Sequence, residues 1–271
     1  MLSCLVVLSA CDKKDNGQKE AAALLQEARD MLGTGHYEQA RLLVDSLRST
    51  YPRAFDARRE AIGLMDEIEI QQANHDLTAT DSALTDVGQT LKTLKNDFLL
   101  EKDERFQTVG FYKDKKQPAS SLHRTCLYAE VDEDGQLFLV SVLQGKRIQH
   151  DVIVVGTGAD NSIESPQCLS FLTDSSNGYE EQATFKKGSD NGIVEFIASN
   201  SGSPIHVECK GSGGSHSYDL SKADVQAIVR CHELSQAMQN ERQMKHCADS
   251  LRMKVRFYQK KKENGSGQSA E

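Results

Sequence analysis

Arg124-Thr-Cys-Leu-Tyr-Ala-Glu-Val131, Asp132-Glu-Asp-Gly135 and Gln136-Leu-Phe-Leu-Val-Ser-Val142 run consecutively, and their reading decides the fold class. The outer segments are rich in apolar and β-branched residues. The four residues between them are turn formers, so the stretch predicts a β-hairpin. Strand-like runs recur outward from it, at 147–155, 167–172, 182–185, 192–198, 204–210 and 215–220. The run 204–210 is expected to pair with 192–198 across Asn200-Ser-Gly-Ser203. Short strands at this spacing predict a small antiparallel sandwich or barrel over 106–220.

On both sides the period changes to that of a helix. Ile70, Ala73, Leu77, Thr80, Leu84, Val87, Leu91, Leu94 and Phe98 follow in alternating steps of four and three. That is a coiled-coil seam with one polar interruption at Thr80. Beyond the strands, Ser221-Lys-Ala-Asp224 reads as a helix start of capping-box type, with Asp for the usual Glu. Val225, Ile228, Cys231, Leu234 and Met238 continue it, and the pattern runs to residue 262. The expected plan pairs the helix 67–105 with the helix 221–262 and inserts the β domain between them. A homodimeric seam is the alternative. Residues 263–271 read as a disordered tail.

Nearer the start, 21–66 holds two shorter helical patterns, broken at Gly33-Thr-Gly35 and ended at Tyr51-Pro52. Leu24, Ala28, Met31, Gly35, Tyr37, Ala40, Val44, Leu47 and Pro52 resemble one tetratricopeptide repeat. Such repeats bind peptides through a groove built from several units, so one unit is expected to be structural. The fold class is therefore α+β. It comprises a tetratricopeptide-like helical hairpin and long coiled-coil helices with an inserted antiparallel β-sandwich or barrel.

The first residues are Met1-Leu-Ser-Cys-Leu-Val-Val-Leu8-Ser9-Ala10-Cys11, followed by Asp12 and a polar run. An apolar stretch ending Leu-Ser-Ala-Cys resembles the lipobox of bacterial lipoprotein signals. The resemblance implies that 1–10 is a signal peptide and that Cys11 is the lipidated residue. There the thiol takes a diacylglycerol, the peptide is cut before it, and the new amino terminus is acylated with palmitate or a similar chain. No Lys or Arg precedes the apolar run, a departure from the usual signal. Ten residues are too few to span a bilayer. Residues 11–20 read as a polar tether. The implied partner is a membrane of the bacterial envelope, with the outer membrane favoured.

A net charge of −8 argues against nucleic-acid binding, which needs a basic surface. Besides Cys4 and Cys11 there are Cys126, Cys168, Cys209, Cys231 and Cys247, an odd number. They read as small core residues, with one disulfide among Cys126, Cys168 and Cys209 as the alternative. Glu130-Val-Asp132-Glu-Asp134-Gly135 begins like a calcium loop, but Ser141 stands where its bidentate Glu is needed. On the strand His206-Val-Glu208-Cys209, alternation sends Cys209 to the face opposite His206 and Glu208, which disfavours zinc. The glycine-rich Lys210–Ser215 run precedes a strand and not a helix, so it lacks phosphate-loop context. No metal or cofactor is expected.

From Gly110-Phe-Tyr112 through the hairpin, the chain resembles a group of Gram-negative envelope lipoproteins without an assigned activity. The expected function is a non-enzymatic binding module, a helical stalk presenting the β domain to a protein or envelope polymer. One alternative is an enzyme acting through His150, His206 and Glu208. Another is an assembly factor holding a partner along the 24–47 helices.

Overall fold

A computed structural model describes residues 10–117, 124–158, 160–175 and 178–267. It is a mixed α+β chain whose contacts divide it into two units. One comprises Met1–Leu84 with Met244–Glu271, and the other is Thr85–Gln243.

The first unit is helical. It holds α1 (Ala10–Gly33), α2 (Tyr37–Thr50), the start of α3 (Phe55–Lys95) and the end of α5 (Lys222–Gly267). Ala21, Leu25, Ala28 and Leu32 bury against Ala40, Val44 and Leu47, and against Ala54, Ala57, Ala61, Leu64 and Ile68. These positions repeat at three and four, which places them on one face of each helix. Alanine at so many of them lets the helix axes approach. Gly35 ends α1 at φ +78°, with His36 N–H bonded to Met31 C=O and Gly35 N–H to Leu32 C=O. That pair of bonds is the Schellman motif, which needs a left-handed residue. Within this unit α5 reaches α3 through Lys254–Glu69 (2.6 Å), Lys261–Asp66 (2.6 Å) and Arg252–Asp81 (2.7 Å).

Among the described residues the second unit holds ten strands in two antiparallel sheets. These are β1 (Phe98–Glu101), β2 (Phe111–Asp114), β3 (Cys126–Asp132), β4 (Leu137–Gln144) and β5 (His150–Gly158). The rest are β6 (Asn161–Glu164), β7 (Ser170–Ser175), β8 (Gly178–Lys186), β9 (His206–Gly211) and β10 (Gly214–Asp219). One sheet runs β1-β2-β3-β4-β8-β7, the other β10-β9-β5-β6. One core joins Leu127, Leu139 and Phe185 of the first sheet to Ile153, Val155 and Val207 of the second. Val225, Ile228 and Leu234 of α5 complete it.

The hairpin β3–β4 forms at the expected place, with Tyr128 opposite Val140 and Val131 opposite Leu137. Its tip is fastened twice. Asp132 Oδ1 accepts the N–H groups of Asp134 (2.9 Å) and Gln136 (2.8 Å), and Gly135 takes φ +81°. The Gly135 carbonyl accepts Ser235 Oγ (2.7 Å) and Gln239 Nε2 (3.0 Å) from α5. A methyl group at Gly135 would lie 2.8 Å from Met238 Cβ. The expected α5 cap is also present. Asp224 N–H donates to Ser221 Oγ (3.2 Å), and Asp224 pairs with Arg124 at 2.5 Å.

Five expectations differ from the structure. The helix expected over 67–105 stops at Lys95, and Asn96-Asp97 turn the chain into β1. Phe98 suits either ending because it is buried in both; here it enters the β core with Leu91. The run 192–198 is not a strand but α4 (Ile193–Ser199). Asp190 starts that helix by accepting Val194 N–H (3.0 Å), and a short apolar run does not reveal its period. The strand expected to pair with it, β9, therefore pairs with β5 and β10. Residues 11–20, expected as a tether, continue α1, since Lys, Asp, Gln and Glu propagate a helix once packing supplies its nucleus. The helix α5 also reaches Gly267, inside the expected tail, although Asn264, Gly265, Ser266 and Gly267 are weak helix formers. Residues 1–9 of the expected signal peptide lie outside the described residues.

Candidate functional site

The three residues singled out for catalysis do not meet. His150 is fully buried, at the start of β5. His206 and Glu208 sit on the outer face of β9, with His206 bonded to Asp219 of β10 and Glu208 near Lys210 (3.9 Å). Cys209 points inward and is buried, as strand alternation requires.

His150 instead joins partners that carry no local sequence motif. Its Nε2 lies 3.2 Å from Ser141 Oγ on β4, and its Nδ1 lies 3.1 Å from Glu181 Oε2 on β8. Ser141 Oγ is 3.5 Å from Cys209 Sγ on β9. All four side chains are buried. Glu181 also accepts the backbone N–H groups of Gln149 (2.8 Å) and His150 (3.0 Å). Burial alone would raise the Glu181 carboxyl, but these backbone bonds and His150 hold it below the usual carboxylate range. Gln149 takes φ +55°, so the carboxylate fastens a strained corner at the entry to β5.

The order serine, histidine, acid matches that of a hydrolytic triad. Hydrolysis also requires access to the serine and donors for an oxyanion. Ser141 lies mid-strand between buried Val140 and Val142 and is itself fully buried. The adjacent cavity of about 580 Å³ is lined by Gln149, Asp151, Gln167, Cys168 and neighbours, and by none of Ser141, His150, Glu181 and Cys209. The cluster is thus a sealed polar lock tying both sheets together. One signal for it was present: Ser141 shares the inward period of Leu137, Leu139 and Leu143.

The cysteines Cys126, Cys168, Cys209, Cys231 and Cys247 are all free thiols. Burial pushes Cys126 up to about 12 and Cys168 and Cys209 up to about 11, so these thiols are unreactive near neutral pH. Among the described residues no group of three or more His, Cys, Asp or Glu is arranged to hold a metal ion. No described helix is long and apolar enough to cross a membrane.

The surface offers a more accessible feature. β7 ends the six-stranded sheet and pairs only with β8 among the described residues. Around it Leu169 (82% exposed), Phe171 (66%), Leu172 (40%) and Tyr179 (45%) face solvent. Arg147 stacks over the Tyr179 ring at 5.5 Å. An edge strand with bare N–H and C=O groups and apolar side chains is a template for another strand. The strand expected over 167–172 lies three residues later, at Ser170–Ser175, and its edge position is not visible in the sequence. Along 24–47, Leu42 is the exposed large apolar side chain, whereas Leu25, Leu32, Val44 and Leu47 are buried.

No family model, curated protein or solved structure matches this chain.

Proposed function

We propose that this protein is a lipid-anchored, non-enzymatic binding protein of the bacterial cell envelope, on the outer membrane. The observation that carries this reading is the run Leu8-Ser9-Ala10-Cys11, which resembles a lipobox. In it, the helical unit carries the anchor and the β unit does the binding. The buried α1–α2 pair acts as a tetratricopeptide-like structural element, and α3 with α5 forms a coiled-coil stalk. The ion pairs between α5 and α3 support that pairing.

The β unit contacts a protein rather than an envelope polymer. A free sheet edge offers alternating N–H and C=O groups at the spacing that an extended peptide repeats, whereas the hydroxyls of a sugar polymer do not follow that spacing. The sealing of Ser141 and His150 favours binding over catalysis.

Intact mass and membrane fractionation of the native protein beside Cys11→Ser test the anchor. Acyl mass and membrane flotation lost together in the variant support it; a soluble, unmodified wild type sinks it. A photo-crosslinker at Phe171, compared with one at Ser162, tests the edge in cells. Adducts confined to position 171 support the reading, and equal or absent adducts oppose it.

A further inference from the structure

We infer that the outward face of the last part of α5 docks on an anionic phospholipid surface. Met253, Arg256, Phe257 and Lys260 are spaced i, i+3, i+4 and i+7, so they share one helix face. All four are exposed, Met253 and Phe257 each at 63%. The opposite face buries Ala248 and Val255, so the helix has one inward and one outward side.

The cations on the outward face differ from their neighbours. Arg252, Lys254 and Lys261 spend their charge on Asp81, Glu69 and Asp66 of α3. Arg256 and Lys260 have no ion-pair partner among the described residues. Residues 244–271 hold seven Lys and Arg against three Asp and Glu, a net +4 in a chain of net −8. Two unpaired cations flanking an exposed aromatic ring and a thioether suit the headgroup boundary of an anionic bilayer. Apolar tips enter the acyl edge there while ammonium and guanidinium groups meet phosphate. A peptide partner would need an apolar pocket and two carboxylates matched to this quartet; a lipid surface supplies both without a match.

The proposal rests on the envelope reading only for bringing α5 near a membrane. Full-length Cys11→Ser protein therefore separates the two, since it carries no acyl chain. Its sedimentation with vesicles of phosphatidylglycerol and phosphatidylcholine would be compared with pure phosphatidylcholine. Binding is expected to the anionic vesicles and to weaken with salt. Arg256→Gln with Lys260→Gln should weaken it about 25-fold, at about fivefold per cation. Met253→Ser with Phe257→Ser should also weaken it, and Arg29→Gln should leave it unchanged. All these positions are exposed, and circular dichroism confirms that each variant is folded. Absent binding, equal binding to neutral vesicles, or quartet variants that bind like the parent would each overturn the inference.

Discussion

Each unit buries a glutamate, and the two are held in opposite ways. In the helical unit Glu69 on α3 is 5% exposed and is neutralised by Arg41 of α2 and Lys254 of α5. In the β unit Glu181 is 1% exposed and held by two backbone N–H groups and His150. The difference follows from the backbone. Inside a helix every N–H is already bonded, so a buried carboxylate must find cations on long side chains. A left-handed corner such as Gln149 leaves N–H groups free, and a carboxylate can satisfy them directly. The first solution keeps its cations partly in water, and the second is dry.

The largest expected effect comes from breaking the dry solution. Glu181→Ala strands the buried His150 N–H, the part-buried Gln149 N–H and one imidazole nitrogen, and should cost about 4 kcal/mol. Urea unfolding measures the cost. Hydrogen exchange should show it first at β5, and unchanged exchange there would refute the lock. Next is Gly135→Ala, which forces a side chain into φ +81° and against Met238. About 2 kcal/mol should be lost, read as a lower midpoint with an unchanged urea slope.

Glu69→Ala should cost less than Glu181→Ala, about 1.5 kcal/mol, because Arg41 and Lys254 can turn to solvent. Molar salt should shrink this cost and leave that of Glu181→Ala unaltered, since partly exposed charges are screened and buried ones are not. Equal salt sensitivity would erase the contrast.

Acid sharpens it further. Burial raises both carboxyls, but the ion pairs at Glu69 and the backbone bonds at Glu181 outweigh it, so both titrate below the usual range. A depressed carboxyl adds stability above its unfolded value, about 4.3, which is lost as pH falls through the folded value. Thermal midpoints should therefore decline below about pH 4.3 in wild type, and less steeply in either glutamate variant. The smallest effect is Arg29→Ala, which removes an exposed pair with Glu60 (2.6 Å) and should cost at most about 0.5 kcal/mol by the same urea assay.

The helical unit was largely legible because its burial pattern is local. Ala28, Ala40, Val44 and Leu47 repeat at helical spacing, and all are buried. The β3–β4 hairpin was legible for the same reason: its turn residues and alternation lie within one short stretch. The sealed cluster was not. Ser141, His150, Glu181 and Cys209 come from four strands, and no spacing rule links them. His150 stood out as a histidine, but its chosen companions lay on the far face of another strand.

By itself the sequence determined what depends on neighbours along the chain. It set the α+β alternation, the cap at Ser221, the turn at Gly135 and the inward face of β9. Only the tertiary structure decided what depends on pairing across the chain. It made α4 a helix, set β7 at an edge, and chose which polar groups share a dry core. The physical reason is the range of the forces. Propensity, capping and turn geometry act within a few residues, whereas sheet order and buried hydrogen bonding are settled when distant segments compete for the same partners.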